Sequence, residues 1–241
     1  MRAETRHQLK QDRFSRATIG AAETAVHWTA EHKSALVVGV ILVAVALVAG
    51  FGSWFYFANQ DEKASVELTA AMRTLERPVL PAGMPAQPDI PSFATSQERT
   101  DTAKKQLQGI VDRYPHTHSA DVARYFLGTT ALEAGDNANA ERDLKEVANT
   151  HNADLSSLAK MALATLYTST NRTKDALDLY KQLAGKPTMT VSKVTADLKL
   201  ASLYETLQQP SEAKRIYEQI QRENPGTEAG ALAQSKLQEL K

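Results

Sequence analysis

The sequence contains no cysteine among its 241 residues. That excludes disulfides, thiolate metal sites and cysteine nucleophiles. Aromatic residues make up only 6% of the chain, while alanine is abundant, a balance that suits close-packed helices better than sheets. No sign of charge dominates either, since 28 basic side chains face 28 acidic ones. A neutral chain has no whole-molecule attraction to nucleic acid, and none is expected as a partner. The length allows one or two domains with a sizeable core.

Catalytic signatures are absent as well. No H-E-x-x-H, G-x-S-x-G, phosphate-binding loop or dinucleotide fingerprint occurs. Of six histidines, only His116-Thr117-His118 forms a local pair, just beyond Pro115. A stable metal site needs about four ligands and no carboxylate cluster adjoins the pair, so it reads as a polar turn. Asn171-Arg172-Thr173 fits a glycosylation sequon, a triplet common by chance. The expectation is a chain with no catalytic residues, no metal and no cofactor, hence not an enzyme.

What is present is strongly segregated. Residues 35–57 read ALVVGVILVAVALVAGFGSWFYF without one charge. At ~1.5 Å per residue such a helix spans roughly 35 Å, enough to cross a ~30 Å hydrocarbon core. A buried core helix is a poor alternative, because nothing else in the chain is apolar enough to surround it. Trp54, Phe55, Tyr56 and Phe57 would sit at the lipid–water boundary. A cleaved signal peptide fits badly: its apolar region would far exceed the usual ~7–15 residues. Small residues four apart, Ala35–Gly39 and Ala46–Gly50, would let another helix approach in lipid.

Residues 1–34 precede the span as a tail with six Lys/Arg (Arg2, Arg6, Lys10, Arg13, Arg16, Lys33) against four acids. Short basic tails stay cytoplasmic, so the large domain is expected on the far side. Leu9, Phe14, Ile19, Ala22 and Val26 suggest a weakly amphipathic helix leading to Trp28. After the span, residues 78–97 (PVLPAGMPAQPDIPSFATSQ) carry five of the nine prolines and must form an irregular loop, to which Leu80, Met84 and Ile90 could lend some order.

An internal repeat organises the remainder. Ala103, Ala140, Ala176 and Ala213 recur at intervals of 37, 36 and 37. Four residues on stand Leu107, Leu144, Tyr180 and Tyr217; seven on stand Ile110, Val147, Leu183 and Ile220. Positions i, i+4 and i+7 share one helix face, so each alanine opens a buried stripe. Twelve residues before three of the anchors stand Gly128, Ala164 and Ala201, each preceded by leucine and followed three residues on by Ala131, Tyr167 or Tyr204. Small residues on two successive helices let their axes approach. Turn residues lie between: Gly135-Asp136, Asn171-Arg172 and Gln208-Gln209-Pro210. Pro115 and Pro225 close the second helix.

This pattern resembles the tetratricopeptide repeat, a helix-turn-helix unit of ~34 residues. The fold class expected is all-α, one transmembrane helix followed by an α-solenoid of tetratricopeptide-like helix pairs. Clear repeats cover 121–154, 157–190 and 194–227, with a capping helix at 227–240. Residues 58–120 form a degenerate first repeat, its helices near 60–77 and 98–113. The pattern departs from the family at Arg124, which stands where a tryptophan is usual, and at Pro187, one position early.

The whole arrangement is similar to the ancillary Sec-translocon subunit family, single-pass proteins of the bacterial inner membrane with a periplasmic tetratricopeptide-like domain. The phrase RYPHTHSADVARYFLGTTALEAGD is equally similar to periplasmic repeat proteins of envelope assembly. The resemblance implies protein or extended-polypeptide partners, with membrane lipid around residues 35–57 and the Sec translocon as a candidate neighbour. By the repeat's usual geometry the concave face would carry Tyr125, Thr129, Leu132, Met161, Thr165, Thr168, Leu198, Ser202 and Glu205. That face lacks the Lys/Arg clamp needed to capture a carboxylate terminus. Three further readings stay open: a scaffold binding one folded partner, a cytoplasm-facing regulator, and an enzyme.

Overall fold

A computed structural model describes residues 33–80 and 92–240. The tail helix proposed around Leu9–Trp28 and the loop residues Met84 and Ile90 lie outside the described residues. Among those described, nine helices and no strand occur. They are α1 (Lys33–Glu76), α2 (Ser96–Arg113), α3 (His118–Glu133), α4 (Asn137–Ala148), α5 (Ala153–Ser169), α6 (Thr173–Gly185), α7 (Lys193–Thr206), α8 (Pro210–Glu223) and α9 (Glu228–Glu239). Contacts divide the chain into two units, 1–57 and 58–241.

In the first unit, α1 is long and apolar enough to cross a membrane. Its large side chains from Val37 to Phe57 are exposed rather than packed in a core, as lipid-facing residues must be. Phe51 and Trp54 rings lie 5.7 Å apart, and Tyr56 and Phe57 meet edge to face at 5.6 Å. The sequence reading places one helix at 35–57 and another near 60–77. One continuous helix replaces them, because no proline or glycine interrupts residues 53–76.

The second unit is an α-solenoid. From α2 to α9 each helix packs on the next, and α3 also touches α5. The periodic residues form its core: Ala140, Ala176 and Ala213 are fully buried, as are Leu144, Val147 and, nearly so, Ile220. At Gly128 the approach is closest. A Cβ added there would lie 2.7 Å from Leu144 Cγ and 3.3 Å from the Leu144 backbone nitrogen. Glycine is what lets α3 and α4 meet.

All three turns inside the repeats close by the same motif. Gly135, Asn171 and Gln208, equivalent positions, adopt positive φ of 75°, 61° and 56°. The residue after each donates its N–H back to a carbonyl five residues earlier: Asp136 to Ala131 at 2.9 Å, Arg172 to Tyr167 at 2.7 Å, Gln209 to Tyr204 at 2.9 Å. This is the Schellman closure, which satisfies helix-end carbonyls and reverses the chain. Side-chain caps set the other ends. Thr117 Oγ1 accepts from Ala120 N–H and Asn152 Oδ1 from Leu155 N–H, so α3 and α5 begin a turn before the consensus repeat frames at 121 and 157. At α2, Thr95 accepts from Glu98 N–H while Glu98 Oε2 accepts from Ala94 N–H. This capping pair starts the helix two residues earlier than expected.

The degenerate repeat forms by burying Ala64 and Ala71 of α1 with Leu107, Ile110, Ala120, Ala123 and Leu127. Glu67 pairs with Arg113 and accepts from Tyr114 Oη at 3.0 Å, and Asp61 Oδ1 accepts the Ser119 N–H at 2.9 Å. Across the proline-rich loop, Val79 and Phe93 form a parallel bridge, with Leu80 N–H to Phe93 O at 3.0 Å and Phe93 N–H to Pro78 O at 3.1 Å.

One polar strap joins the first two clear repeats. Glu141 Oε1 of α4 receives Lys145 Nζ at 2.7 Å, Arg172 Nη1 at 2.7 Å and Tyr167 Oη at 3.1 Å. Arg172 also lies 4.0 Å above the Tyr167 ring and pairs with Asp175 at 2.8 Å. The hydrogen bonds from Lys145 and then Arg172 hold the Glu141 carboxyl down at about 2.

Two expectations follow from these contacts. Gly128→Ala gains ~0.5–1 kcal/mol in helix propensity but collides with a fully buried leucine, and overpacking costs about 1–3 kcal/mol. The net should be a lower thermal midpoint; an unchanged or raised one refutes the close-approach argument. For Glu141 the folded carboxyl titrates below its unfolded value, so its contribution is complete above pH ~4.5 and disappears as pH falls toward 2. Glu141→Gln should lower the thermal midpoint at pH 7 and have little effect near pH 2, measured by circular dichroism in detergent.

Candidate protein-binding groove

In the first two clear repeats the first helix differs in chemistry from the second. On α3, residues 125–132 (YFLGTTAL) carry no charge, and on α5 neither do residues 161–169 (MALATLYTS). The second helices are studded with it, as in Glu141, Arg142, Asp143, Lys145 and Glu146 of α4. Because α3 touches α5, the two charge-free stretches belong to neighbouring helices.

The nine groove residues inferred from the sequence distribute over α3, α5 and α7. Thr165 and Ser202 are exposed; Tyr125, Thr129, Leu132, Met161, Thr168, Leu198 and Glu205 are half-buried. Tyr125, Leu132, Met161 and Leu198 rest against the main core and present only their outer edges. Burial of the Tyr125 ring raises its phenol above the ordinary tyrosine value. The threonine hydroxyls donate within their own helices, Thr129 to Phe126 O at 3.2 Å, Thr165 to Met161 O at 3.1 Å and Thr168 to Ala164 O at 2.8 Å. Their oxygens keep acceptor capacity for an incoming backbone N–H.

Glu205 has a different occupation. It accepts the Tyr217 hydroxyl and lies 4.0 Å from Lys236 Nζ, tying α7 to α8 and α9. Burial first, and this carboxylate second, push the Tyr217 phenol up. Sequence reading missed Phe126, whose ring meets Tyr125 edge to face at 5.7 Å; two adjacent aromatics in an aromatic-poor chain were the available cue.

Other concavities lie between helices. One of about 380 Å³ is lined by Lys104, Gln108, Leu127, Asp136, Arg142 and Asp143 among others. A second, about 340 Å³, opens between α5 and α6. Among the described residues no group of three or more histidine or carboxylate side chains is placed to hold a metal. In the His116–His118 run, Thr117 caps α3 and His118 is its first residue.

No curated protein and no solved structure matches the chain. A family profile does: residues 26–241 match the tetratricopeptide repeat-like domain. Domains of this kind are in general non-catalytic scaffolds that bind proteins or peptides. With its repeated helix pairs, Schellman turns and small-residue contacts, the chain belongs to the tetratricopeptide repeat-like domain family.

Proposed function

We propose that this protein is a membrane-anchored interaction module of the bacterial envelope that receives exported polypeptides, or their chaperones, beside the Sec translocon. The observation that carries the reading is the pair of charge-free stretches on neighbouring first helices, 125–132 and 161–169. Apolar edges such as Leu132 and Met161 alternate there with hydroxyls, which suits an extended chain offering both side chains and backbone groups. No cationic clamp favours a carboxylate terminus on this face.

The anchor supports the same reading. Residues 35–57 would hold the groove near its source of substrate, and tethering raises the encounter rate through effective concentration without any new contact. The basic tail favours a cytoplasmic N-terminus with the repeats across the inner membrane. The resemblance to the ancillary Sec-translocon subunit family supplies the neighbour.

Photo-crosslinking residues at Thr165 and Ser202 test the groove, with exposed Lys214 on α8 as control. Heterogeneous nascent chains captured from the first two and not from the third are expected, together with translocon subunits after mild detergent extraction. A single stoichiometric adduct would instead support a scaffold for envelope or outer-membrane protein assembly. A reporter fused after Lys241 that works only in the cytoplasm would overturn both.

A further inference from the structure

Two of the three clear repeats balance the charge on the seam between their helices from within, each at its own register. In the first clear repeat Arg124 of α3 meets Asp121 at 3.5 Å and Glu146 of α4 at 2.9 Å. In the third, with the cation one turn nearer the start of its helix, Lys193 of α7 meets Asp197 at 3.7 Å and Glu223 of α8 at 2.5 Å. Each cation there is satisfied by two carboxylates of its own repeat.

The second repeat keeps the first repeat's cation without its carboxylates. Counting 36 residues on, the interval between Ala140 and Ala176, Ser157 replaces Asp121, Lys160 replaces Arg124 and Gln182 replaces Glu146. Both carboxylates are gone while the cation remains, and Lys186 adds another. These residues, with Leu183 and Gly185, line the cavity of about 340 Å³ between α5 and α6. No acid lines it. Ser157 is 7% exposed, yet its hydroxyl has no hydrogen-bond partner among the described residues. Lys160 and Lys186 likewise make no ion pair among them. A Cβ built on Gly185 would meet nothing within 4 Å, so the mouth is open.

The Ser157 hydroxyl opens to this cavity without a protein partner among the described residues, and the two ammonium groups that share the lining set the sign of what would bind there. The first repeat shows the species that neutralises a cation at this register, a carboxylate. Leu183 and the lysine stems match the methylenes that carry such a group, which inorganic phosphate lacks.

We propose that the α5–α6 pocket binds the carboxylate of an acidic side chain on a partner polypeptide, held by Ser157, Lys160, Gln182 and Lys186. The polypeptide origin of that carboxylate rests on the protein-interaction reading above. The seam of the second repeat is then completed from outside, where the first repeat completes its own from within.

The chain's lack of cysteine makes the test direct. Asp178→Cys, exposed and one turn before Gln182, provides a single site for an environment-sensitive fluorophore on the full chain in non-ionic detergent. The probes are acetyl-Leu-Glu-Leu-amide, its Gln counterpart and inorganic phosphate. A saturable response to the Glu peptide is expected, with about tenfold weaker binding of the Gln peptide. Lys160→Gln and Lys186→Gln should each weaken the Glu peptide by a similar factor. Restoring the first repeat's carboxylates with Ser157→Asp and Gln182→Glu should abolish the response and raise the thermal midpoint. Equal responses to the two peptides, binding indifferent to Lys160→Gln, or saturation by phosphate without any by the Glu peptide would each overturn the proposal. The groove reading fails separately: its crosslinks from Thr165 do not depend on Lys160.

Discussion

Two helices can lie closely side by side only where neither backbone is held off by a side chain, and the solenoid depends on that contact. Gly128 against Leu144 is its tightest instance, with room for a hydrogen and none for a methyl. Ala140, Ala164, Ala176, Ala201 and Ala213 repeat the arrangement at full burial. Once the axes are this near, residues one and two turns on, such as Leu144 and Val147 or Tyr180 and Leu183, interlock with the facing helix. The large side chains fill the space that the small ones define.

The periodicity is legible in the sequence for a physical reason: a buried stripe recurs every three to four residues, and a stacked unit recurs at each repeat. The span is legible by length and composition alone. The turns are partly so. Gly135 announces a left-handed residue, whereas Asn171 and Gln208 adopt the same backbone without glycine, driven by the closure that helix packing demands. Helix starts proved harder, because Thr117, Asn152 and Thr95 cap through local hydrogen bonds that a hydrophobic pattern does not record. The groove is least legible. Whether a glutamate such as Glu205 faces a ligand or ties three helices depends on Tyr217 and Lys236, distant in sequence.

Division of labour between the helices of a repeat gives the domain its chemistry. Second helices carry the charges that keep a solenoid soluble and strap it together, as Glu141 does with Lys145 and Arg172. First helices α3 and α5 present hydroxyls and apolar edges over the stretches 125–132 and 161–169. Arg124, which departs from the family's tryptophan, belongs to the strapping: the guanidinium holds both helices of its repeat where an indole would fill space. Substitution at one register position therefore exchanges packing for charge, and the same position can be left unbalanced.

The buried residues fall into two clusters. One gathers Ala64, Ala71, Leu107, Ile110, Ala120, Ala123 and Leu127; the other runs from Ala131 to Ala233. Helix α3 belongs to both: Ala120, Ala123 and Leu127 join one, while Ala131 joins the other with Val122, Tyr125 and Leu132 packed against it. It acts as a party wall between two cooperative blocks, each able to loosen without dissolving its neighbour's core. A chain built this way need not unfold as a whole to yield locally, so strain entering through α1 and α2 can be absorbed before it reaches the repeats beyond.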